Sequence, residues 1–272
     1  MTQANKNIFF SIIICCYNSE KNIEETINSI ISQSYNFWEI IIINDASSDN
    51  TENIIREFMK SDFKITYHSN KNNQGFAKSR NIGVNLANYD WITIIDHDDI
   101  MTKDRLMLQS KIIKENENIQ LFFGDSEIFE NKKVLSTRSK NFFSHYNRPL
   151  NQLLFNKEKL TSNLIRYGCF IVSSTVTFNK TCFKKVNGFN EKLKFTSDYD
   201  FFFRLSKNFD FFYIDKIINR WRSHSDQSTV KNRKVHDREL SYFLIKNIFD
   251  SKISYSIKLY AIVKALYYFF KF

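Results

Sequence analysis

Asp96, Asp98 and Asp99 crowd around His97 directly after the apolar run Trp91-Ile92-Thr93-Ile94-Ile95. Acids following such a run mark the point where a buried strand emerges into solvent. Carboxylates held this close repel one another. A hard divalent cation relieves the repulsion, because it takes oxygen ligands and can bridge them to phosphate oxygens. One reading of the string is therefore a metal-diphosphate site. Asp also starts turns and caps helices, and a helical pattern begins near Lys103, so a turn followed by a cap explains the isolated string equally well.

The surrounding pattern predicts how such a site is positioned. Phe9 to Cys16 and Glu39 to Asn44 are short Ile-rich runs, and Ile23, Ile27, Ile30 and Ile31 recur between them at helical spacing, which makes a βαβ unit. The alternation continues with a helix over Thr51 to Lys60, a strand near Lys64 to His68, a helix over Phe76 to Ala87 and the strand ending at Asp96. Strands apolar on both faces with helices between them predict an α/β fold with a mostly parallel central sheet, Rossmann-like in layout. Ligands collect beyond the carboxyl ends of such strands. Asn18, Asp45, Asn70 to Asn73 and Asp96 to Asp99 all fall there. Further on, the spacing predicts a helix near Lys103 to Glu117, one or two strands in Gln120 to Leu135, and irregular or short helical structure over Tyr146 to Tyr167. It then predicts a strand over Ile171 to Phe178, a turn at Asn187-Gly188-Phe189, a helix beginning around Tyr199 to Leu205, and helix from Val230 onward.

The bulk numbers set bounds. A chain of 272 residues, 43% hydrophobic and 25% charged, suits one large domain or a domain with an appendage. The 28 Phe and 13 Tyr predict a core packed largely with aromatics. A net charge of +10 favours anionic partners such as phosphorylated substrates, an acidic lipid surface or nucleic acid. No nucleic-acid reader motif accompanies that charge, so nucleic acid is not an expected partner. Cys15, Cys16, Cys169 and Cys182 show no CxxC spacing and read as reduced, buried fillers. Ile8 to Cys16 is too short and too poorly flanked for a signal peptide or a spanning helix, which predicts a cytoplasmic location.

Four segments in order carry a family likeness: Ser11 to Asn18, Asn44-Asp45-Ala46-Ser47-Ser48-Asp49-Asn50-Thr51, Asn73-Gln74-Gly75-Phe76-Ala77-Lys78-Ser79-Arg80-Asn81, and Asp96-His97-Asp98-Asp99. Between Phe10 and Thr229 the sequence resembles the inverting glycosyltransferases of family two, which have the GT-A fold. Ala46 stands where that family usually has Gly. The resemblance implies a catalytic domain over 1–229, its nucleotide-sugar half in roughly the first hundred residues and its acceptor half in the remainder. Residues 230–272 then form a basic, aromatic, helical extension.

A nucleotide-sugar donor needs its base recognised, and a carboxylate such as Asp45 can accept the imino N–H of uracil. Thymine offers the same group and guanine comparable donors. An N-cap or Asx-turn role fits Asp45 as well. Tyr17 suits an apolar platform for the base or ordinary packing. By resemblance Asn18, Glu20, Arg80 and Asp96 join the nucleotide site, Asp98 contacts Mn2+ or Mg2+, and Asp99 orients the loop. The acceptor hydroxyl must lose its proton as it attacks the anomeric carbon, and Asp198 is the candidate base. It lies in Thr196-Ser197-Asp198-Tyr199, which resembles the family's Glu-Asp motif with Ser197 in place of Glu. Trp221-Arg222-Ser223-His224 resembles an aromatic-Arg-x-His element, which would set Arg222 and His224 over the diphosphate. The implied activity is transfer of a single sugar, from a donor that is UDP-linked for preference, to a saccharide or lipid-linked saccharide in bacterial surface polysaccharide synthesis. A noncatalytic nucleotide-binding subunit and a sugar nucleotidyltransferase are the alternatives. A dehydrogenase is excluded, since Cys16-Tyr17-Asn18-Ser19-Glu20 holds no glycine. The amphipathic segment Ser254 to Phe272 suits either an anionic membrane interface, which would make the protein peripheral on the inner face, or packing onto the domain or a second subunit.

Overall fold

A computed structural model describes residues 7–61, 64–150, 157–225, 227–251 and 253–271. The β-branched runs become strands, as their stiffness at χ1 favours: β1 (Phe10–Cys16), β2 (Trp38–Asn44), β3 (Ile65–Ser69) and β4 (Trp91–Asp96). They are joined by α1 (Ile23–Ile31), α2 (Thr51–Met59) and α3 (Phe76–Leu86), and pair in parallel in the order β3-β2-β1-β4. Side chains alternate across this sheet. Phe10, Ile12, Ile14, Ile40 and Ile42 enter one core with Ile23, Ile27 and Ile30 of α1, while Ile13, Ile41, Ile43 and Ile94 enter the other. Both faces are covered, so the strands are apolar throughout.

The second half extends the sheet. It comprises β5 (Ile100–Met101), α4 (Arg105–Glu115), β6 (Leu121–Glu130), β7 (Lys133–Thr137), α5 (Arg138–Tyr146), α6 (Lys157–Tyr167), a 3-10 turn at Ser173–Thr175, β8 (Thr177–Asn179), α7 (Lys180–Lys185), α8 (Ser197–Ser206) and β9 (Phe211–Arg222). The order runs on as β4-β8-β6-β9-β5, with β7 on β6. β8 is antiparallel to both neighbours, and β9 runs parallel to β6. The described residues thus form a mixed, mostly parallel nine-stranded sheet flanked by helices.

Several elements differ from the sequence reading, the short β5 and α7 among them. The strand predicted over Ile171 to Phe178 is interrupted by the 3-10 turn and survives only as β8. The long β9 and the helix α5 were not predicted. Of the segment read as irregular or short helical, residues 151–156 lie outside the described residues and the remainder includes the helix α6.

Aromatics pack the second half together, and a polar clasp ties it to the first. Phe201 of α8 lies 4.1 Å from Phe189 and 5.3 Å from Phe178 of β8, ring centroid to centroid, and such pairs contribute about 0.5–1.5 kcal/mol each beyond their buried area. Gly188 sits at φ +66°, and a Cβ there would lie 2.7 Å from Asn81 Oδ1. The missing side chain lets Asn81 of α3 clasp the Phe189 backbone through both its N–H and its C=O. After β9 come α9 (Ser228–Lys231), α10 (Arg233–Asn247) and α11 (Tyr255–Phe270). Phe243, Leu244, Ile257, Ala261 and Ala265 from these helices enter the same core as Ile13 and Ile41.

Candidate active site

The loops after β1 and β2 are laced together at the carboxyl end of the sheet. Asn18 donates its N–H to Ser47 Oγ and accepts from Ser48 N, and Glu20 accepts from Asn50 N while its own N–H reaches Asp49. The Asn18 and Glu20 side chains therefore fix loop geometry, leaving Tyr17, 43% exposed, as the apolar ring they present. Ala46 adopts φ +63°. In that left-handed region a Cβ costs about 1 kcal/mol, which explains why Gly suits the position. Asp45 is only 4% exposed. Its Oδ1 accepts from Asn70 Nδ2 and Gln74 N and its Oδ2 from Gly75 N, so it holds the loop that leads into α3.

The carboxylates after β4 divide their work. Asp99, fully buried, accepts from Arg222 N and Asn219 Nδ2 and so ties the loop to the end of β9. Burial, then the charges of Asp98 and Asp96, push its carboxyl well above the ordinary range. Asp98 is driven the other way. Burial raises it, but the His224 hydrogen bond and the neighbouring imidazoles His97 and His224 outweigh burial and hold it below the usual value. His224 Nε2 lies 2.8 Å from Asp98 Oδ2. Arg222 is turned aside from this pair. Its Nε donates to the Asp98 carbonyl, its Nη2 pairs with Glu25, and its guanidinium lies over Phe129.

The 3-10 turn links the two halves. Ser174 Oγ accepts from Asp96 N, while Ser173 Oγ donates to Asp198 Oδ2 at 2.8 Å. Arg105, fully buried, braces the turn from behind through the Ser174 and Val176 carbonyls. Burial brings its guanidinium down to about 9, with Asp99 opposing, so it remains charged at neutral pH. Asp198 opens α8, where its Oδ1 accepts from Tyr199 N. Between the two aspartates sits Arg80, its side chain 7% exposed and 2.8 Å from Asp96. Burial disfavours its charge, but Asp96 and then Asp198 more than compensate and raise its pKa. Arg80, Asp96, Asp98 and Asp198 line one cavity of about 600 Å3. Tyr17, Asn18, Glu20, Asp45, Arg222 and His224 are not among its lining residues, although His224 meets it through Asp98.

Sequence reasoning missed Glu239. From α10 its carboxylate accepts the backbone N–H groups of Lys194, Phe195 and Thr196 and the Thr196 hydroxyl. That loop leads directly to Asp198, and Ser197 leaves it without the acid usual in the resembling motif. Glu239→Ala strands those donors. Charge-assisted hydrogen bonds contribute roughly 1.5–3 kcal/mol each, non-additively, so a stability loss of about 2–4 kcal/mol is expected in a denaturant melt. Nucleotide binding should be spared, and Glu239→Gln should lose less.

Asp98 and His224 offer one carboxylate and one imidazole at hydrogen-bond separation, with Asp96 nearby. Among the described residues no three His, Cys, Asp or Glu side chains group around a metal position. The donor set fits a divalent cation of the Mn2+ or Mg2+ kind that takes its remaining ligands from phosphate oxygens and water. The cysteines do not compete. All four are free thiols, and burial pushes Cys16 and Cys182 up to about 12 and Cys15 and Cys169 higher still.

The glycosyl transferase family 2 profile matches residues 11–178, more than half of the chain. The protein belongs to glycosyl transferase family 2. Over 171 residues it is 30% identical to the Escherichia coli UDP-Glc:alpha-D-GlcNAc-diphosphoundecaprenol beta-1,3-glucosyltransferase WfgD, covering 63% of this chain and 60% of that one. S. aureus TarS 1–349, solved with UDP-GlcNAc, superposes with a TM-score of 0.72 at 20% identity, covering 97% of this chain and 73% of that one. The mannosyltransferase PcManGT of Pyrobaculum calidifontis, solved with GDP-Man and Mn2+, superposes at 0.68 and 15% identity over 97% of this chain and 74% of that one. These structures share the GT-A fold with this chain, and the family makes it a transferase enzyme.

Proposed function

We propose that the protein is an inverting glycosyltransferase that moves one sugar from a nucleoside diphosphate to a saccharide hydroxyl, with Asp198 as the base. The observation that carries this reading is the single cavity in which Asp96 and Asp98 face Asp198, with Arg80 between them. The donor diphosphate lies on the Asp98 side. The acceptor oxygen attacks the anomeric carbon from the opposite face, its proton passes to Asp198, and the bond from carbon to diphosphate oxygen breaks. Ser173 and the Tyr199 N–H fix the Asp198 carboxylate, and Arg80 offers positive charge beside both partners. Asp98 and His224 would hold Mn2+ or Mg2+, which when bound would supply positive charge against the departing diphosphate.

The donor is UDP-linked in this proposal. Among the described residues Asp45 Oδ2 accepts only the Gly75 N–H and so keeps a lone pair for a base N–H, and the E. coli relative is a UDP-Glc-dependent glucosyltransferase. That relative's acceptor supports a lipid-linked saccharide and a place in bacterial surface polysaccharide synthesis. Among the described residues no helix is long and apolar enough to cross a membrane. Calorimetric titration with UDP, GDP and dTDP, each with and without Mn2+, tests the reading. Metal-dependent binding of UDP is expected. Binding of none of the three under either condition would sink the proposal and bring the noncatalytic alternative forward.

A further inference from the structure

α11 is largely apolar, with Ser256, Lys258 and Lys264 as its exceptions. Ile257, Ala261 and Ala265 face inward, and Ser241 of α10 donates to the Ala265 carbonyl while Tyr260 and Lys264 donate to carbonyls at the end of α6. The opposite side is bare: Leu259 is 66% exposed, Val263 62% and Phe270 75%, and Phe249 in the preceding turn is 82% exposed. A largely apolar helix that is covered on one seam and leaves such a face exposed implies a second apolar medium. Charge specifies which medium. Residues 230–272 hold nine Lys and Arg against three acids, a net +6 of the chain's +10. Each of the three acids is engaged within the fold: Asp237 is buried, Glu239 holds the 194–196 loop, and Asp250 pairs with Lys207. Lys234, Arg238 and Lys246 are exposed, and Lys258 lies 5.5 Å over the Tyr255 ring at the border of the bare face.

We propose that the outward face of α11, with the turn before it, docks in the plane of an anionic lipid bilayer. Aromatic and aliphatic side chains enter the acyl boundary, and the lysines reach the headgroups. The helix lies flat rather than crossing. Its 16 residues extend about 24 Å, short of the ~30 Å hydrocarbon core. A second copy of the chain fits less well, since a two-fold contact would set this cationic segment against its own image. Arg233 and Leu240 of α10 and Lys264 and Tyr268 of α11 also line the reaction cavity, so docking would let a lipid-linked acceptor react at the membrane. That consequence rests on the proposed transfer reaction, whereas the docking does not.

Vesicle co-sedimentation of the full chain, without nucleotide, tests docking independently of catalysis. Binding is expected to vesicles half phosphatidylglycerol and half phosphatidylcholine, to be far weaker with phosphatidylcholine alone, and to weaken as salt is raised past about 0.5 M. Leu259→Glu with Phe270→Glu changes only exposed positions, and the double variant should melt as the parent does yet partition at least about tenfold less. Equal partition of parent and variant, equal partition onto both lipids, or no vesicle binding would overturn the proposal. A dimer in sedimentation analysis that the double variant dissolves, with no vesicle binding, would assign the face to a second copy.

Discussion

Replacing Asp198 with Asn is expected to reduce transfer by about 10²- to 10⁴-fold, the usual contribution of a positioned general base, while leaving nucleotide binding as it was. The amide has the same shape. Its oxygen still accepts the Tyr199 N–H, and its nitrogen can donate to Ser173 Oγ, which rotates from donor to acceptor. What the variant lacks is basicity, together with one of the two carboxylates that favour the Arg80 charge. Ser173→Ala serves as the comparison, because it removes an orienting bond and keeps the base, and its rate should fall less. The readout is single-turnover transfer alongside UDP titration. Full activity in Asp198→Asn would remove the base assignment, and loss of nucleotide binding would show that Asp198 shapes the donor side.

The first half of the fold is legible because its physics is uniform. Strands buried on both faces need apolar residues at every position, and runs such as Ile12-Ile13-Ile14 and Ile40-Ile41-Ile42-Ile43 announce that need. β9 gives no such signal. Asp215, Lys216 and Arg220 interrupt its pattern, and its pairing with β6 shifts register on both sides of Asp125, so neither a period of two nor a continuous apolar run survives. Ile171 to Phe178 misleads in the opposite direction. Its β-branched residues read as a strand, yet Ser173 and Ser174 are claimed by Asp198 and by Asp96 N, and the chain turns to serve both. Tertiary demand overrides local propensity there. Glu239 had no signal at all, because the donors it gathers come from a loop more than forty residues upstream. Ser197 marked a missing acid without indicating which element would supply one.

Asp98→Ala is expected to abolish the metal dependence of nucleotide binding. Outer partners of a metal site typically contribute 10–100-fold in affinity, and a direct ligand should contribute at least about as much. Affinity for UDP in Mn2+ should fall to the level measured without metal, and the metal-free value should not move. The charge difference between neighbours supports this outcome. Burial and the two adjacent carboxylates drive Asp99 toward its protonated form, while the His224 hydrogen bond keeps Asp98 ionised against burial, so of these two neighbours the charged one is the one that lines the cavity. Asp98→Asn separates charge from shape and carries a signature in acid. A carboxyl held below its unfolded value of about 3.9 contributes stability that is present above that pH and lost as pH falls through the folded value. The parent should therefore lose stability below roughly pH 4 more steeply than Asp98→Asn does. If both variants bind UDP in Mn2+ as tightly as the parent, the Asp98 and His224 pair only fastens the loop after β4 to the segment following β9, and the cation, if any, sits elsewhere.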